Sequence, residues 1–328
     1  MYTYHKGTQQ DYSVKAPPPR PPRKPRRRLI LVLLIMLAIL VGLAVVTLWP
    51  TPKSHVAGAA QPAAVSSEKP APIDQTELAT QVNQTINSSP LEVGVSIIDL
   101  TNNRRYDYGL GDTEYIAAST TKILSASLYL HDVEAGRYTL SQPLGTSTAQ
   151  DEMERMIVIS DDTAWLDFNT LLGHPALQAY ARSLGMNSYD PTNNLITSDD
   201  LALLLADLYQ GKLLNQQHTN LLLGYMAKAD YTQYIGGVIP KGVKFYHKIG
   251  FLDDRVMDAA IIDNGRHPYV LVIFTKDPSG DDYNQTAGLQ VFHQITTATL
   301  NAFANKLRYD NGGCEDLMSR LFRLIDYA

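Results

Sequence analysis

One cysteine, Cys314, is all that the 328 residues contain. No disulfide can form within the chain, so whatever folds must be held by its apolar core. Eight histidines are scattered, and none falls in an H-E-x-x-H or other ligand spacing, which argues against a metal site. No glycine-rich loop of the phosphate-cradling kind is present. The arginines of the basic head have no aromatic residues interleaved among them, so nucleic acid is not expected as a partner. No cofactor is expected either.

Charge is unevenly spread. Residues 1–28 hold eight Lys or Arg against one acid, Asp11, whereas the remainder holds 20 basic and 32 acidic residues. From Leu29 to Trp49, "LILVLLIMLAILVGLAVVTLW", charge is missing altogether. As a helix this run is roughly 31 Å long, about the thickness of a bilayer's hydrocarbon core. It exceeds the apolar core of about 7–15 residues usual in a cleavable signal peptide, although Ala57-Gly58-Ala59 offers a cleavage site. Arg26, Arg27 and Arg28 abut one side and only Lys53 lies near the other. That bias predicts a cytoplasmic N-terminus and export of everything after Trp49.

The expected organisation is a basic, proline-rich cytoplasmic tail over 1–28, a single transmembrane helix over 29–49, and a flexible linker over 50–74 rich in Pro, Ala and Ser. The tail stretch "KAPPPRPPRKPRRR" favours polyproline conformations. It reads as a topology determinant, or as a dock for a cytoplasmic partner or anionic lipid. Protein partners are otherwise unknown.

"LEVGVSIIDL" (91–100) reads as a strand, Asn102-Asn103 as a turn and "RRYDYGL" as the returning strand. From about 118 to 230 the pattern turns helical, in segments that each end at a glycine. Strands return as "VKFYHKIG", "VMDAAIID" and "YVLVIFTK", the last two joined around Asn264-Gly265, before a helical run over about 285–307. This order predicts one mixed α/β domain over 75–307: an antiparallel sheet completed by both termini, flanked by helices, with an inserted helical lobe. Residues 308–328 form an amphipathic extension after a Gly-Gly break.

Within "AASTTKIL", Ser119 and Lys122 lie one helical turn apart. A serine hydroxyl needs a base to become a nucleophile, and a lysine serves only when burial or a second cation destabilises its ammonium. The same spacing at Ser66 and Lys69 lies in linker-like sequence, so the spacing alone is weak. Lys248, in "HKIGFLDD" on a strand expected to be central, is the candidate second cation. Gly250 after it lets a substrate backbone approach closely. His247 should face the other way and serve structure.

Ser119-Thr-Thr-Lys122, Ser160-Asp-Asp162 and Lys248-Ile-Gly250, in that order, resemble the S-x-x-K, S-D-N and K-T-G elements of class A β-lactamases and penicillin-binding proteins. The resemblance covers roughly residues 75–307. It implies an acyl-enzyme on Ser119, with Lys122 as acylation base and Ser160 as the relay to the leaving amine. Lys248 would orient Ser160 and attract a substrate carboxylate. The backbone N–H groups of Ser119 and Phe251 would form the oxyanion hole. The implied partner is a cell-wall peptide or a β-lactam-like small molecule.

Three departures accompany the matches. The loop between "SLGMNSYDP" and "TNNLITSDDL" is nearly missing, and no glutamate occurs between Glu154 and Glu315 to position a deacylating water. Asp190 is the one nearby substitute; its alternative role is to cap the turn at Pro191. Ile249 replaces a hydroxyl residue that would bind the substrate carboxylate, with Arg255 as a compensating cation or an ion-paired strand residue. Asp162 replaces an amide donor with an acceptor. The leading reading is a membrane-anchored extracytoplasmic serine hydrolase with poor or no β-lactam turnover. A catalytically inactive binding module and a true class A-like β-lactamase are the alternatives.

Overall fold

The computed structural model describes residues 73–280 and 282–304. The expected tail, transmembrane helix and C-terminal extension, with Cys314, and all of the expected linker but Ile73 and Asp74 lie outside the described residues. Among those described, no helix is long and apolar enough to cross a membrane.

The chain opens with α1 (Gln75–Ser88), then β1 (Glu92–Asp99), β2 (Arg104–Gly109) and the short β3 (Tyr115–Ile116). A 3-10 turn, Ala118–Thr121, leads into α2 (Lys122–Glu134). The lobe continues with β4 (Pro143–Leu144), β5 (Ser147–Thr148), α3 (Ala149–Val158), α4 (Asp162–Leu172), α5 (His174–Ser183), β6 (Leu195–Ile196), α6 (Ser198–Tyr209) and α7 (Gln216–Met226). A second 3-10 turn, Ile235–Val238, precedes β7 (Lys244–Leu252), β8 (Arg255–Asp263), β9 (Tyr269–Lys276) and α8 (Gln285–Phe303).

Five strands form an antiparallel sheet in the order β2-β1-β9-β8-β7. Because β1 pairs directly with β9, the sheet is indeed completed by both ends of the domain. Its three inner strands, β1, β9 and β8, are buried on both faces. Val270, Val272 and Phe274 face one core with the helical lobe, while Tyr269, Leu271 and Ile273 face another under α1 and α8. A strand covered on both sides loses the polar–apolar alternation of a one-faced sheet, which is why "YVLVIFT" is almost uniformly apolar.

Side chains cap the lobe's helices: Thr148, Asp161, Thr197 and Asn215 each accept a backbone N–H from the first turn. Two expectations are corrected, and one element is new. The segment 149–173 is two helices, broken at Ile159–Asp161 with Ser160 at φ +60°. The helix α1 had no forecast. The strand carrying Lys248 is the edge strand β7, not a central one. Lys248 is nevertheless buried, because the 3-10 turn holding Ser119 packs on β7.

Candidate active site

Lys122, Ser160 and Lys248 converge although they come from three separate segments, and Ser119 lies in the turn just before Lys122. Ser119 sits in the 3-10 turn, half-buried, and Lys122 heads α2 with its side chain fully buried. Ser160 occupies the break between α3 and α4. Its Oγ is the meeting point of both amines: Lys248 Nζ lies 2.8 Å away and Lys122 Nζ 3.3 Å.

The two amines have different company. Lys122 Nζ also donates to Ser160 O at 2.7 Å and to Asp162 Oδ1 at 2.5 Å, and stands 5.7 Å over the Trp165 ring. Its three N–H bonds are thereby all directed at acceptors, the arrangement of a charged ammonium. Burial lowers its pKa, and the hydrogen bond and charge of Asp162 oppose that lowering. Lys248 Nζ has only the neutral partners Ser160 Oγ and Ile249 O, at 3.1 Å. Burial, followed by the charge of Lys122, brings its pKa down to about 7. The amine that gives up its proton near neutral pH is therefore the strand's.

Gly250 has a use the sequence did not reveal. A Cβ there would lie 2.9 Å from Ala117 O, 3.0 Å from Ser119 N and 3.1 Å from Ala118 Cβ. The glycine brings the strand against the turn that carries Ser119, where any side chain would collide. Ile249 is buried in the core beneath α8 and offers nothing to the cleft. Phe251 is partly exposed, edge-on to Tyr231 at 5.3 Å. Arg255 grips Asp254 with two bonds of 2.7 Å, the ion-paired of its two expected roles. Asp162 begins α4 with its side chain 85% exposed.

Asp190 caps its own turn, accepting from Thr192 N at 2.8 Å and Asn193 Nδ2 at 2.6 Å. Those hydrogen bonds, the one from Asn193 foremost, lower its pKa. His247 is buried against Asp258 at 2.9 Å and reaches Ala229 O at 3.3 Å, a structural role as expected.

Asn194 escaped the sequence reading. Its Nδ2 donates to Ala118 O at 2.9 Å, its Oδ1 accepts from Thr121 Oγ1 at 2.7 Å, and its carbonyl accepts from Ala117 N at 2.8 Å. It clamps both ends of the turn that carries Ser119. Ala118, Ser160, Asn194 and Tyr231 all hold positive φ without being glycine, leaving only Asn103 elsewhere among the described residues. Such backbone is costly, and its concentration around one cleft marks a functional site.

The profile of the beta-lactamase enzyme family matches residues 77–303. The solved structure of PBP-A is 25% identical, with a TM-score of 0.64 over 72% of this chain and 99% of its own. A PBP-A variant captured as an acyl-enzyme with penicillin G gives the same identity and TM-score, over 72% and 98%. A beta-lactamase from Sphaerobacter thermophilus DSM 20745 is 26% identical, with a TM-score of 0.62 over 71% and 98%.

Proposed function

This chain belongs to the beta-lactamase enzyme family, and from that premise we propose a membrane-anchored serine hydrolase that acts outside the cytoplasmic membrane through an acyl-Ser119 intermediate. Its substrate on this reading is a cell-wall peptide or a related amide. The observation that carries it is the hydroxyl of Ser160 held between two buried amines, one of them with a pKa of about 7. In this mechanism Ser119 Oγ attacks the carbonyl while its proton passes through Ser160 to the neutral amine of Lys248, which takes the part of base that the resemblance gave to Lys122. Lys122 stays charged beside them, and the N–H groups of Ser119 and Phe251 receive the oxyanion. The proton then returns through Ser160 to the leaving amine, and water releases the acyl group.

Poor β-lactam turnover follows from Asp190 being committed to its turn and from the lack of glutamate between Glu154 and Glu315. The uncharged run 29–49 supports the anchor. The test is to incubate the full chain with labelled penicillin and map the adduct. A slowly formed but persistent acyl group on Ser119 is the expected result. Its absence, together with inertness toward cell-wall peptides, would overturn the reading. One observation favours a non-catalytic binding module instead: Ile249 lies in the core and Asp162 offers only acceptors, so neither can bind a substrate as the family's hydroxyl and amide residues would. That alternative predicts an unchanged cellular phenotype for Ser119→Ala.

A further inference from the structure

We infer that the acyl donor fitted to this cleft is uncharged and apolar on the flank next to the scissile bond, rather than a peptide ending in a free carboxylate. The inference rests on Ser119 being the nucleophile and deepens that reading by naming the substrate class.

The charges near Ser119 are arranged against an anion. Lys122 and Lys248 are both buried, and the donors of Lys122 are taken by Ser160 and Asp162. Lys248 is turned to Ser160 Oγ and Ile249 O. Arg255 is closed in a two-bond pair with Asp254. The charged group that does open to solvent is the carboxylate of Asp162, one lysine amine away from Ser160 Oγ. Ile249 supplies no hydroxyl, since it belongs to the core.

The apolar side of the argument is equally local. Seven large hydrophobic residues are exposed among those described. Six of them stand next to site residues along the chain, or pack on one that does. Ile116 lies just before the Ser119 turn, and Ile159 just before Ser160. Phe251 and Leu252 follow Gly250, and Tyr231 packs on Phe251. Leu166 lies one turn beyond Asp162 on α4. Asp230 N donates to Val158 O at 3.0 Å, which joins the Tyr231 loop to the Ile159 side of the cleft. Exposed apolar surface gathered around one cleft is a binding feature rather than ordinary surface scatter.

The test uses the full chain and three reagents. A neutral fluorophosphonate reports whether Ser119 is nucleophilic at all. Two thioester acyl donors, identical except that one ends in a carboxylate and the other in its methyl amide, report the charge preference. An octanoyl and an acetyl thioester report the apolar preference. We expect fluorophosphonate labelling of Ser119 and a kcat/KM at least about tenfold higher for the methyl amide, from repulsion by Asp162. Asp162→Asn should narrow that gap. The octanoyl donor should exceed the acetyl donor at least about tenfold, and Phe251→Ser should reduce this advantage. Labelling of Ser119 with equal or faster acylation by the carboxylate donor overturns the charge assignment. Equal rates for the two chain lengths overturn the apolar one. Failure of the fluorophosphonate to label, with none of the donors acylating, overturns the nucleophile reading and this inference with it.

Discussion

Replacing Gly250 by alanine tests whether the strand and the nucleophile's turn act as one unit. The added methyl would sit 2.9 Å from Ala117 O, 3.0 Å from Ser119 N and 3.1 Å from Ala118 Cβ. None of these atoms belongs to the far end of a flexible side chain, so the turn or the strand must move. Overpacking of this kind costs about 1–3 kcal/mol. In a domain of this size that lowers the melting temperature by roughly 3–10 °C. Catalysis should suffer more. The methyl presses on the N–H assigned to the oxyanion, a donor whose loss costs about 10²–10³-fold, and a misplacement of about 1 Å costs a similar factor. The assay is the rate of Ser119 adduct formation by intact mass, paired with a thermal melt. Gly224→Ala is the control. A Cβ at Gly224, inside α7, meets nothing within 4 Å, so that variant should be stabilised by about 0.5–1 kcal/mol. Wild-type acylation by Gly250→Ala, with a melting temperature within about 1 °C of wild type, would refute the coupling of strand and turn.

The electrostatic assignments yield further expectations. In Asp162→Asn the carboxylate that raises the pKa of both Lys122 and Lys248 is gone, so the acid limb of the acylation pH profile should move to lower pH; an unmoved limb refutes the proton path through these amines. Lys248→Met should abolish acylation. In the wild type Lys248 has a folded pKa of about 7 against an ordinary 10.5, so between those values the unfolded chain binds the extra proton and stability rises with pH. Chemical denaturation across that interval should show the rise in the wild type and a flatter curve in the variant. Asn194→Ala removes two hydrogen bonds from the Ser119 turn. It should cost about 1–3 kcal/mol in stability and slow adduct formation at Ser119, while leaving far-ultraviolet circular dichroism unchanged.

How much of this was legible beforehand depends on the range of the interaction. Ser119 with Lys122, and Ser160 with Asp162, are local spacings, so the sequence displays them directly. Lys248 could be named because a lysine in an otherwise apolar strand needs a polar destination. Its position on an edge strand could not be read, because "VKFYHKIG" is apolar enough for a centre. The burial comes from a turn more than a hundred residues earlier in the chain. Asn194 was invisible for the same reason. It lies in an ordinary turn, and its partners Ala118 and Thr121 are 76 and 73 residues away. The helix break at Ser160 carries neither glycine nor proline and stands out only through its positive φ and the Asp161 cap beyond it. Asp162 was seen as a lost donor, but its ion pair with Lys122 needed the fold.

The turn that bears Ser119 rests on the face of the outermost strand at Gly250 and reaches β8 beside it. Loosening the turn would therefore uncover buried strand as well as shift the serine. A loss of adduct formation that arrives together with a lower melting temperature speaks first for the packing of the sheet and only then for chemistry.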